Sequence, residues 1–268
     1  IYQNSEHYKI NNQNSGSWLE KEINEIKKIE NLEIRLRTSV AAFHGYNFLL
    51  ARENLTDHLP IEQRKNKTRQ KLLKIRAKKV ITATGSLERP LIFDNNDRPG
   101  IFLSSAIKKY IDFFGVACGE KNIFLTNNDS AYETVISLIQ KGIKVEAIVD
   151  NREQVDSRLL YELEKNNIKI FKGFTIVDTF GYKRINRISI MQLSKDGQKV
   201  LGSKIILACD CLGVSGGWTP AVHLFTQSGG KLKFREEDQV FIPSKYSSDQ
   251  ISVGSCNGDC SYPHLSLI

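Results

Sequence analysis

The sequence predicts an α/β protein built from two nucleotide-type folds, and three observations predict it. Residues 80–90, VITATGSLERP, run from Val80-Ile81 through Thr82-Ala83-Thr84 into Gly85 and a Pro-closed polar turn. This is the pattern of a buried strand that stops where its backbone passes close to something. A residue without Cβ takes positive φ or admits a ligand there, and ligands of open α/β sheets sit at the carboxyl ends of strands. The tripeptide Ala83-Thr84-Gly85 alone is equally a plain strand-to-turn junction. Residues 122–149 then read as strand, helix and strand, a βαβ unit of about 30 residues, with Gly142 closing the helix. Finally, an antiparallel excursion separates an opening helix from the Gly85 strand, and a Gly-rich turn over 216–220 returns the chain to two short closing strands.

Taken in order, residues 1–15 are polar and Asn-rich, a loop. Ser17 caps a helix over 18–29, with Glu20 as its capping-box partner and Trp18, Leu19, Ile23, Ile26 and Ile29 as its apolar stripe. Residues 32–42 alternate apolar and polar as a strand does, and 43–52 form a second strand around a turn at Gly45. Residues 53–68 carry Pro60 and form a loop or hairpin tip, and 70–77 is a strand leading into the Gly85 stretch. Ser104-Ser105 opens a helix to Phe114. Strand 122–125, helix 131–141 and strand 144–149 make the βαβ, and a helix over 155–166 comes next. Strands are expected over 168–174, 175–182, 187–193, 199–208, 239–243 and 251–254, with a helix-like segment at 221–229. This order matches a two-dinucleotide-binding-domain flavoprotein downstream of its first βαβ, that is, a glutathione-reductase-like α/β fold incomplete at its N-terminus. The expected domains are 1–98, a first dinucleotide-binding domain; 99–214, a second, degenerate one; and 215–268, a return to the first.

Composition fits a globular chain: 268 residues, 40% hydrophobic and 25% charged. No apolar run approaches the roughly 20 residues of a spanning helix, and no signal-peptide pattern opens the chain. It begins at Ile1 in mid-pattern and ends soon after Tyr262-Pro263-His264, so it is expected to be a piece of a longer protein. The five cysteines (Cys118, Cys209, Cys211, Cys256 and Cys260) form no zinc-type set with His223 or His264. They read as buried free thiols of a reducing compartment, the cytoplasm. Much of the net charge of +8 lies in residues 64–79, RKNKTRQKLLKIRAKK. Without interleaved aromatics or a DNA-reading motif this is not a nucleic-acid signature. It is a solvated hairpin or an interface with an acidic partner.

Candidate chemistry is sparse. The βαβ turn should carry G-x-G-x-x-G if it grips a dinucleotide, but it reads Thr126-Asn127-Asn128-Asp129-Ser130-Ala131. Asp129 puts a carboxylate where a helix N-terminus attracts phosphate, and as N-cap it would satisfy those amides itself. Asp150 is a strand-end residue rather than a ribose ligand, Trp218 a packing residue, and His223 a satisfied packing histidine. Gly258-Asp259 either meets cofactor hydroxyls or is an ordinary turn. No catalytic triad, carboxylate pair or metal cluster stands out, so any chemistry is carried by a cofactor that the protein positions.

Four segments together are more specific than any one: VITATGSLERPLIFDNNDRPGIFLSSA, IFLTNNDSAYETV, LGVSGGWTPAVHLFTQSGGKLKF and VGSCNGD. They resemble the alpha subunit of heterotetrameric sarcosine oxidases over residues 18–259. The resemblance implies oxidative demethylation of sarcosine to glycine, with hydrogen peroxide and formaldehyde or methylene-tetrahydrofolate as the other products. It implies partners in beta, gamma and delta subunits, with FAD and FMN in the complex and NAD in this subunit's first dinucleotide fold. Tetrahydrofolate would bind a C-terminal domain absent from this chain. By the same likeness, Ser39 and Val40 lie on the strand facing the adenine, and Ala83, Thr84 and Gly85 form a wall beside the dinucleotide. Gly258 and Asp259 form the last cofactor-contacting turn, although an acid at Asp259 departs from many relatives, as does the tail beyond it. The competing readings are a subunit of a related amine or opine dehydrogenase or oxidase, and a non-catalytic assembly subunit with a structural dinucleotide.

Overall fold

The computed structural model describes residues 9–10, 13–155 and 159–259. The chain divides into two compact units, Ile1–Leu87 with Thr219–Ile268, and Glu88–Trp218. The crossings fall at 87 and 218, where the sequence suggests 98 and 214.

The Glu88–Trp218 unit has a five-stranded sheet in the order Lys169–Lys172, Val145–Asp150, Asn122–Thr126, Cys211–Ser215, Ile101–Leu103, parallel throughout. Strand alternation sorts its two cores. Phe124, Ile148 and Cys211 share one core with residues of the helices Ser104–Phe114, Ser130–Gln140 and Leu159–Lys165. Ile123, Leu125, Val149, Leu212 and Val214 share the other with the antiparallel strands Phe174–Phe180 and Arg187–Leu193, which continue into Val200–Ala208. With both faces covered, Asn122–Thr126 and Cys211–Ser215 are buried at every position. The second of these is a strand that the sequence reading does not place, lying just ahead of the turn expected at 216–220. Gly213 is a packing glycine, since a Cβ there would stand 2.4 Å from the Phe124 ring. The expected helix from Ser104 to Phe114 forms, closed by Gly115 at φ 64, whose N–H bonds the Ile111 carbonyl. The helix expected over 155–166 is described from Leu159 to Lys165, and residues 156–158 lie outside the described residues.

The other unit carries a three-stranded antiparallel sheet, Thr38–His44, Phe48–Asn54 and Gln70–Arg76. It also holds a hairpin of Lys231–Arg235 with Val240–Lys245, and a parallel pair of Val80–Thr82 with Gln250–Ser252. The opening helix runs Ser15–Ile26, with Asn14, not Ser17, as cap: its side-chain oxygen accepts from the Gly16 amide at 2.9 Å. None of its residues is buried, so among the described residues no core covers the stripe at 18–29. Residues 32–36 are not strand, because pairing with Phe48–Asn54 begins only at Thr38. The hairpin turn places Tyr46 and Asn47 at φ 56 and 52, so these two residues, rather than Gly45, take the left-handed conformation. Buried Asn47 then donates to the Lys78 and Asp249 carbonyls, each at 2.9 Å, tying the hairpin to both strands of the parallel pair at their entry. In that pair Ile81 and Ile251 stand in register, 69% and 51% exposed.

Candidate functional site

The strand ends around Gly85 form one constellation within the first unit. Thr82 and Ser252 are register partners whose buried hydroxyls lie 2.9 Å apart. The Thr82 carbonyl accepts from the Val253 amide at 3.0 Å and from the Cys256 thiol at 3.2 Å. These bonds bring the Ala83-Thr84-Gly85 turn beside the 3₁₀ turn Gly254–Asn257. Gly85 adopts φ 77, and a Cβ there would have only Ser255 Oγ near it, at 3.9 Å. Gly254, at φ 69, would have nothing within 4 Å. Two left-handed glycines thus open onto space at the ends of adjacent parallel strands, the place where an α/β sheet receives ligands. The turn does not depend on that ligand, because Thr84 Oγ1 donates to the Ala221 carbonyl at 2.8 Å and the Ala221 amide to the Gly85 carbonyl at 2.9 Å.

Gly258 closes the 3₁₀ turn at φ 87 and is also required by packing. A Cβ there would lie 2.7 Å from Ile242 Cγ2 and 3.0 Å from both terminal nitrogens of Arg235. Arg235 donates to the Gly258 carbonyl at 2.7 Å while paired with Asp238, a clamp that sequence reading missed because nothing in the spacing marks it. Asp259 is exposed, its amide bonded to the Gly254 carbonyl at 3.3 Å. Ser39 and Val40 stand on the separate three-stranded sheet, opposite Arg52 and Ala51. His223 is exposed at the start of the short helix His223–Gln227, not packed, because Phe225 takes that helix's inward position.

In the second unit, the place of a phosphate loop is filled by its own side chains. Asn128 Oδ1 accepts from the Ser130 amide and hydroxyl at 3.1 and 2.5 Å, so Asn128, not Asp129, caps the Ser130–Gln140 helix. Its Nδ2 donates to Ser215 Oγ at 3.0 Å, and Trp218 Nε1 donates to Ser130 Oγ at 3.1 Å. Asp129 instead accepts from Arg152 at 2.8 Å. Asp150 is fully buried at the end of its strand and accepts from the Tyr132 hydroxyl at 2.6 Å, the Arg152 amide at 2.8 Å and the Arg152 guanidinium at 2.8 and 3.1 Å. Burial and Asp150 together hold the Tyr132 phenol protonated far above its usual range. A ribose hydroxyl would find this acid already saturated.

Glu88 is buried at the start of the Ser104–Phe114 helix and accepts from the Ser105 amide at 2.8 Å. Burial raises its carboxyl above the ordinary 4.5, while hydrogen bonds from Ser105 and Ser215 act the other way. A carboxyl raised on folding stabilises most below its unfolded value, and that contribution is lost as pH rises through the folded value. Stability of the wild type is therefore expected to fall relative to Glu88→Gln as pH climbs above 4.5, and to lose that dependence in the variant. Urea midpoints at several pH values check this.

Cys209 and Cys211 pack in different cores, and burial pushes both thiols up to about 12. Cys118 and Cys256 are also free, and Cys260 lies outside the described residues. Among the described residues no group of three His, Cys, Asp or Glu could hold a metal, and no helix is long and apolar enough to cross a membrane.

A Gly-ended parallel pair in one unit and a five-stranded parallel sheet in the other define the class: an α/β fold of the two-dinucleotide-binding-domain type. Solved structures agree. The fold matches L-proline dehydrogenase from P. horikoshii at 22% identity and TM-score 0.62, covering 92% of this chain and 41% of that one. It matches thioredoxin reductase from T. acidophilum at 14% identity and TM-score 0.64, covering 94% and 76%. No family model matches the sequence. The chain is similar to the sarcosine oxidase alpha subunit: it is 32% identical over 93% of its length to that of Corynebacterium sp. strain P-1, and 29% identical over 86% to that of Rhizobium meliloti strain 1021. It spans about a quarter of the length of these curated relatives, 26% and 22% respectively.

Proposed function

We propose that this chain is the dinucleotide-holding part of an alpha subunit that supports the oxidative demethylation of sarcosine, with NAD in the unit containing Gly85. The observation that carries the reading is the pair of left-handed glycines, Gly85 and Gly254, opening onto space at the ends of adjacent parallel strands. The second nucleotide fold, its loop filled by Asn128, Asp129 and Arg152, stays empty. Ala83, Thr84 and Gly85 form the wall beside the dinucleotide, and Ser39 and Val40 lie toward its adenine. Gly258 sets the closing turn, from which the exposed Asp259 carboxylate accepts from ribose hydroxyls. Beta, gamma and delta subunits complete the assembly in the cytoplasm, with FAD and FMN there and tetrahydrofolate in a further domain. Flavin supplies the oxidising chemistry; the residues of this chain bind and orient.

The complete assembly is expected to turn over sarcosine with formation of glycine and hydrogen peroxide. Turnover of another secondary amine in its place would assign the chain to a related dehydrogenase or oxidase. Asp259→Ala should weaken dinucleotide binding about tenfold, the loss of roughly 1.4 kcal/mol for one hydrogen bond to a charged group. Equilibrium dialysis of the complex against NAD measures it.

A further inference from the structure

The positive charge of this chain is local. Residues 64–79 hold nine Lys and Arg and no Asp or Glu; removing them leaves 29 cations against 30 acids, so the remainder carries −1. The fold turns this stretch into the edge strand Gln70–Arg76 of the three-stranded sheet. Register divides that sheet's faces. Phe43, Leu49 and Ala51 are buried on one face, which they share with half-buried Leu73 and with Ile75, 38% exposed on the edge strand. The opposite face aligns Ser39, Arg52 and Leu72 in one row, Ala42, Leu50 and Lys74 in the next, and His44, Phe48 and Arg76 in the third. No acid stands in these three rows.

Edge lysines commonly guard a strand against unwanted pairing. That explains Lys74, but not Arg52 on the central strand, nor Leu72 left 63% exposed opposite it. No acid among the described residues lies within ion-pair distance of Arg52 or Lys74. Like charges gathered on neighbouring strands repel, and a partner of opposite sign removes that repulsion. An apolar centre of Leu50 and Leu72 rimmed by cations is the anatomy of a protein interface. Nucleic acid needs aromatic faces free for stacking, whereas the Phe48 ring is stacked by His44 at 5.9 Å and overlain by Arg76 at 5.4 Å. The curated relatives are named as one subunit of an enzyme, so partner chains exist for a surface of this kind.

We infer that the outer face of this sheet docks an acidic surface of another protein subunit of the same assembly. Arg52 and Lys74 make the charge contacts, and Leu72 fills the centre. The inference rests on the proposed reading of this chain as one subunit of an assembly, and not on which dinucleotide it holds.

Zero-length carbodiimide coupling of the intact native complex, followed by mass spectrometry, tests it, because that reagent joins a lysine only to a carboxylate it touches. Lys74 should couple to Asp or Glu of a different chain. The charge reversal Arg52→Glu with Lys74→Glu should weaken subunit association at least tenfold at low salt and flatten its salt dependence. The milder pair Arg52→Gln with Lys74→Gln should give a smaller loss of the same sign, and dinucleotide content should stay with the alpha chain in both. Coupling confined to this chain, or wild-type assembly by the charge-reversal variant, overturns the proposal. So does a variant that assembles normally but loses binding to a single-stranded RNA probe, which would make the face a nucleic-acid surface instead.

Discussion

Gly85→Leu is expected to leave the assembly folded and without its dinucleotide. Two costs act together. A branched side chain at φ 77 sits in the left-handed region, at roughly 1–2 kcal/mol. Its Cβ then projects into space bounded only by Ser255 Oγ at 3.9 Å, so the rest of the side chain fills the volume assigned to the ligand. The two hydrogen bonds between Thr84-Gly85 and Ala221 keep the turn in place, which separates loss of ligand from loss of fold. Gly85→Ala should fall between the two, with the backbone strain but little of the blockage. Dinucleotide released by heat from purified complexes, quantified against alpha chain, reads both variants. Peroxide production with sarcosine should follow the same order.

Arg152→Ala should be the most destabilising change in the second unit. Asp150 is fully buried and takes three of its hydrogen bonds from Arg152, two of them from the guanidinium. Removing that group leaves a buried carboxylate with Tyr132 and one backbone amide. Breaking a buried pair from one side costs about 3–5 kcal/mol, and the partial exposure of Arg152 puts this case near 3. Adding Asp150→Asn should recover part of the loss, since the unpaired charge is then gone. The measurement is a denaturant midpoint with unchanged slope. Neither variant should gain dinucleotide binding, because Asn128 and Trp218 still fill the loop.

Where a local pattern sets the local structure, the sequence sufficed. The expected strand over 187–193 forms over those residues, and the βαβ with Gly142 at its helix end comes directly from cap chemistry and apolar runs. Tertiary packing hid the rest. Cys211–Ser215 does not read as a strand from its own residues because Gly213 interrupts it, and Phe124 occupies the place of a Cβ there. Lys231–Arg235 went unread because its lysines alternate with only two apolar residues, and the hairpin partner supplies what propensity does not. At the candidate site, Gly85 was legible as a glycine ending an apolar strand. The Arg235–Asp238 clamp on Gly258 was not, since the hydrogen bond from Arg235 to the Gly258 carbonyl joins residues 23 apart and no motif encodes it. In the second unit the missing glycines were plain, but the roles of the side chains that fill the loop were not. Asp129 has the composition of a cap, yet Arg152 draws it away and leaves the amide to Asn128.

The central claim is that one nucleotide fold of this chain binds and the other is closed by its own side chains. The number of dinucleotides bound per alpha chain in the intact complex tests it most directly. The account predicts one, abolished by Gly85→Leu. Two per chain, or one that survives Gly85→Leu, would contradict it.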